Sequence, residues 1–127
     1  MWVITQTGFY SAVQVENEPN ILKVRTRTYN DATALAVFMH GTDYEQYIIA
    51  DAGTDYKYRV LCSKQDWIEF LAATTQDIDY TNFKSRVFTE QGEARADLYH
   101  DVWAVLFQLQ TKHDRGAPSK SLKPSAS

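Results

Sequence analysis

The chain has 127 residues, 44% apolar and 13% aromatic, enough for one domain with a buried core and too apolar for disorder along its whole length. Its formal net charge of −3 supplies no global positive field for coating nucleic acid or an anionic membrane. No apolar run approaches the ~20 residues of a membrane helix, and the single Cys62 excludes an intramolecular disulfide and a cysteine-based zinc site.

With no basic-then-apolar segment opening the chain, a cytoplasmic location is expected. "WVIT", turn material at "QTG" and "FYSAVQV" predict an N-terminal hairpin. After a loop at "ENEPN", the stretch "ILKVRTRTY" alternates, with Leu22, Val24 and Thr26 on one side and Lys23, Arg25 and Arg27 on the other. Asn30 or Asp31 is the expected cap of the helix "ATALAVFMH", and Gly41 its stop. "QYIIA" and "YKYRVLC" flank "DAGTD", a glycine-containing connection suited to a second hairpin.

Ser63 and Asp66 match a capping box, and Trp67, Leu71, Thr74 and Ile78 recur at helical spacing, so a helix is expected to about Ile78. Thr81 caps a short helix in which Phe83 and Val87 stack one turn apart. The last helix spans roughly Glu93 to Lys112. Ala94, Leu98, Val102, Val105 and Leu109 form one stripe on it, and Trp103 and Phe107 lie on another side. That second face is either covered by the preceding short helix or a loop, or it is the seam of a homodimer. From His113 the periodicity stops, which leaves residues 1–112 as a single α+β domain and 113–127 as a flexible tail rich in Ser, Pro and Lys.

These elements predict a two-layer α+β fold. A mainly antiparallel sheet of four or five strands carries two long helices and one short helix on one face, in a ferredoxin-like or related arrangement. Strand parity then sends Phe9, Val13, Leu22, Val24, Tyr58 and Val60 toward the helices. Tyr10, Gln14, Lys23, Arg25, Arg27, Lys57 and Arg59 fall on the other face. The body up to Lys112 is acidic, because Arg115, Lys120 and Lys123 outnumber Asp114 beyond it. A basic face on such a body suits an anionic ligand, and arginine's planar fork suits phosphate and carboxylate. A charged outer face also keeps a sheet from aggregating, and cross-strand acids can neutralise each arginine. The candidate ligand residues on this face are Arg25, Arg27, Arg59, Tyr10 and Lys57.

"DIDYTNFK" adds Asp77, Asp79 and Lys84, either as the acidic rim of the arginine site or as a helix ending whose acids pair with Arg59 or another base. The further ligands and terminal Glu of an EF-hand are absent, so no metal site is assigned. His40, His100 and His113 lack the spacing of a metal-binding helix, and His100 is expected in solvent or at an interface. No nucleophile elbow, P-loop or dinucleotide fingerprint occurs, so no catalytic residue and no cofactor are nominated. Cys62, beside Val60 and Leu61, is expected as a buried inert thiol.

The ordered blocks "MWVIT", "TGFYS", "VRTR", "DYKYR", "DIDYTNFK" and "YHDVW" resemble a family of small bacterial and phage proteins that open with Met-Trp. The likeness covers about residues 1–110. That family has no established activity, so it lends no substrate, and it implies only a bacterial or phage origin. Besides the arginines and acids named above, the shared polar blocks hold Asp55, Tyr56, Tyr58, Tyr80, Asn82, Tyr99 and His100. The expected function is a non-enzymatic binding module for an anionic small molecule or a partner protein, of the kind a phage or bacterial regulator uses, without non-specific nucleic acid or membrane binding. The rival is a metal-dependent phosphodiesterase or nuclease, with Asp77 and Asp79 holding the metal and His100 or Lys84 moving a proton.

Overall fold

A computed structural model describes residues 1–51, 53 and 55–114. Strands β1 (Trp2–Ile4), β2 (Phe9–Val15), β3 (Glu18–Thr26), β4 (Ile49–Ala50) and β5 (Tyr58–Ser63) form one antiparallel sheet in the order β1, β2, β3, β5, β4. The expected loop at "ENEPN" is shorter in fact. Only Glu16 and Asn17 turn between β2 and β3, with Asn17 at φ 64°, a left-handed conformation asparagine tolerates.

Helix α1 (Tyr29–His40) leaves β3, and a 3₁₀ segment (Gly41–Tyr47) leads into β4. Because β3 and β4 both run antiparallel to β5 between them, β3, α1 and β4 make a split βαβ unit, the building block of ferredoxin-like folds. The N-terminal half is instead a three-strand meander. Helix α2 (Lys64–Gln76) begins at the capping box of Ser63 and Asp66, as expected, and ends two residues before Ile78.

Helices α1 and α2 cover one face of the sheet, giving the two-layer α+β fold. Ala12, Leu22, Val24, Val60 and Cys62 meet Ala32, Leu35 and Ala36 of α1 and Trp67 and Phe70 of α2. Tyr10 corrects the expected parity of β2. It is fully buried on the helix side, its ring centroid 5.9 Å from that of Trp67 and 5.4 Å from that of Phe70. Its strand neighbours Phe9 and Val13, expected inside, therefore lie on the other face. β3 and β5 follow the predicted alternation at Leu22, Val24 and Val60.

Helices α3 (Phe83–Gln91) and α4 (Glu93–Leu106) pair around a second, smaller core of Val87, Ala96, Tyr99 and Phe83. Ala96 and Tyr99 form the buried face of α4, while Leu98 and Val105 of the expected stripe are exposed. A π-helical turn (Leu109–His113) follows α4. Gln6, almost fully buried, ties this pair to the sheet. Its amide nitrogen donates to the Thr74 carbonyl at 2.9 Å, its side-chain oxygen accepts from the Tyr80 hydroxyl at 3.2 Å, and its carbonyl accepts from the Gln91 amide at 2.5 Å. Among the described residues no helix is long and apolar enough to cross a membrane. Most of the predicted tail, from Arg115 on, lies outside the described residues.

Candidate functional site

The face of the sheet away from α1 and α2 gathers guanidinium groups around one ring. β3 and β5 place Arg25 directly opposite Arg59, and Arg27 follows Arg25 on the same side of the chain. Arg25 Cζ stands 4.6 Å, and Arg27 Cζ 4.9 Å, from the centroid of Tyr56, just before β5. The electron-rich face of the phenol attracts both cations, which offsets part of the repulsion between like charges so close. Arg25 also donates to the fully buried Ser11 Oγ at 2.7 Å, while its buried Nε has no hydrogen-bond partner. Among the described residues neither Arg25 nor Arg27 forms an ion pair with a carboxylate.

The rings extend the cluster toward the sheet edge. Phe9 lies 6.5 Å from Tyr56 and 6.0 Å from Trp2, which meets it edge-on. Helix α4 stands beyond them, so Trp2, Ile4, Phe9 and Arg27 share a cleft of about 290 Å³ with Leu98, Tyr99 and Val102. At its floor Arg95 binds the buried Asp31 carboxylate through one nitrogen, 2.8 Å from Oδ2 and 3.2 Å from Oδ1, and donates to the Tyr99 hydroxyl. Burial works against the Arg95 charge, but the bonds to Asp31 and Tyr99 outweigh it and hold the group above its ordinary pKa. Burial also raises the Tyr99 phenol.

Asp31 was an expected helix cap, and this role falls to Thr28, whose hydroxyl accepts from the Asp31 backbone N–H. The Asp31 carboxylate is turned instead to the Phe9 N–H, at 3.0 Å, and to Arg95. Asn82, not Thr81, caps α3.

The remaining candidates lie elsewhere. Tyr10, within the core, has no surface to offer a ligand, and burial raises its phenol well above the ordinary value. Lys57 leans over Tyr58, whose ring packs on the helix-side core. Asp77 and Asp79 find their base in Arg86, which also binds Glu90 at 2.5 Å; these bonds, led by the one to Glu90, raise the guanidinium's pKa. "DIDYTNFK" is thus a stapled helix ending, with Asn82 capping α3. Lys84 lines an apolar groove between α3 and α4 with Phe83, Trp103 and His100. His100 is exposed and stacks on Trp103 at 5.5 Å. No group of three or more His, Cys, Asp and Glu suited to a metal occurs among the described residues. Cys62 is buried as expected, and burial, helped by Asp66, pushes its thiol up to about 11.

Sequence reasoning missed Trp2 and the Asp31–Arg95 pair, and named Tyr56 only within the shared "DYKYR" block. Tyr56 opens the "YKYR" stretch itself, which is its local signal, and residues 64 apart in sequence leave none for the ion pair. No protein-family model, curated protein or solved structure matches the chain.

Proposed function

We propose that this chain is a non-enzymatic binding module that recognises an anion on the open face of its sheet. The reading rests on one observation: Arg25 and Arg27 share the Tyr56 ring with no carboxylate partner among the described residues, in a protein whose acids outnumber its bases. Placing two like charges on one ring opposes folding unless something negative joins them. An anion supplies that charge, and arginine's planar fork is suited to bind it.

Thermal melts with inorganic phosphate and pyrophosphate, with and without Mg²⁺ or Mn²⁺, test this reading. The expected result is a metal-free rise in Tm that Arg25→Gln with Arg27→Gln removes. A rise that requires metal would favour the phosphodiesterase rival, against which stands the occupation of Asp77 and Asp79 by Arg86. No shift under any condition would end the anion reading.

A second surface supports the homodimer. Trp103 is 61% and Phe107 46% exposed, their rings 5.8 Å apart, with Leu106 between them in sequence also exposed. Such an apolar strip at the end of α4 has the composition of an interface core.

A further inference from the structure

We propose that the ligand is an amphipathic organic anion, its phosphate or carboxylate head at Arg27 and its aromatic or short alkyl body in the cleft between the sheet edge and α4. The inference rests on the anion reading and deepens it, because it assigns the part of the ligand that the arginines do not touch.

Arg27 belongs to both places. Its guanidinium lies over Tyr56 and the same residue lines the cleft, so a head group bound there lies beside the hollow. The rest of the lining is mostly apolar: Trp2, Ile4, Phe9, Leu98 and Val102. At about 290 Å³ the cleft sits at the small end of ligand cavities, which run from roughly 300 to 1,000 Å³. It fits a compact body, not a polymer.

Charge decides the polarity of the occupant. Arg27, Arg95 and Asp31 are the charged groups that line the cleft. Asp31 is already matched by Arg95 within 2.8 Å, which leaves one positive charge, on Arg27. An exposed arginine alone holds an anion weakly, since water competes for both partners. Affinity must come from desolvating the apolar walls. Trp2 is 73% and Leu98 56% exposed without an occupant, and a ring or alkyl chain removes both from water.

The test compares phenyl phosphate with inorganic phosphate, and octanoate with acetate, by calorimetric titration of the full chain. Phenyl phosphate and octanoate are expected to bind at least ten-fold more tightly than inorganic phosphate and acetate, which carry the head group without the body. Arg27→Gln weakens phenyl phosphate and inorganic phosphate alike. Leu98→Gln, an exposed helix position, weakens phenyl phosphate ten-fold and leaves inorganic phosphate unchanged. Circular dichroism verifies that both variants fold. Equal affinity for each pair of probes, or an inert Leu98→Gln, overturns the cleft assignment and leaves the anion reading standing. Failure of all four probes overturns both.

Discussion

The Asp31 carboxylate occupies the space that a side chain on Gly8 would need: a Cβ at that position would lie 2.5 Å from Asp31 Cγ and 2.8 Å from Oδ1. The glycine is therefore required by close approach, and the next residue, Phe9 at the start of β2, supplies the N–H that the carboxylate accepts. Gly8→Ala is expected to lose about 1–3 kcal/mol through overpacking. Urea denaturation of the variant checks this, and an unchanged midpoint would show that the loop yields freely.

Asp31 and Arg95 join α1 to α4 across two otherwise separate cores. Asp31→Asn leaves a guanidinium facing a neutral amide, and the expected loss is about 3 kcal/mol, in the range for breaking buried pairs. Asp31→Asn with Arg95→Met should cost less than Asp31→Asn alone, because no orphaned charge remains. A double-mutant cycle by chemical denaturation measures the coupling.

Alkaline pH should weaken the fold, and the sign follows from Cys62. Burial raises its thiol from 9.0 to about 11, so between these values the unfolded chain has released a proton that the folded chain still holds. Stability falls as pH rises through that window and levels off, for this group, above it. Tyr10, raised by burial in the same direction, extends the decline to higher pH. Melting temperatures from pH 8 to 11 should show a shallower drop in Cys62→Ala than in the parent chain.

If α4 is a homodimer seam, light scattering behind size exclusion should give twice the chain mass for the parent protein. Trp103→Glu, exposed in the single chain, should then give the monomer mass with an unaltered circular dichroism spectrum. A monomeric parent would dismiss the seam.

The sheet and its helices were legible wherever one periodicity dominated. β3 and β5 alternate cleanly, and Ser63 with Asp66 announces α2 by local bonds alone. β2 was ambiguous because "FYSAVQV" offers apolar residues in both registers. Packing decided it: Tyr10 fits against Trp67 and Phe70, and its hydroxyl reaches Thr7 at 3.0 Å. The buried face of α4 was misread for a related reason. That helix packs mainly on α3 and is tied to α1 by an ion pair, so Ala96, Tyr99 and Arg95 outrank its larger aliphatic residues. The arginine face follows from period-two alternation at Arg25 and Arg59, whereas its rings, Trp2, Phe9 and Tyr56, come from three separate stretches of chain whose meeting no single periodicity announces.

The insertion of β5 between β3 and β4 imposes an order on folding. The meander can pair as soon as its turn at Glu16 and Asn17 exists, but its last strand, β3, keeps one edge open until β5 emerges much later. Until Trp67 and Phe70 follow, the Tyr10 ring lacks the aromatic partners it packs on. During synthesis that interval is when the nascent chain is most exposed to sticking to its neighbours, and cross-linking of ribosome-stalled chains on either side of Phe70 would reveal whether it is.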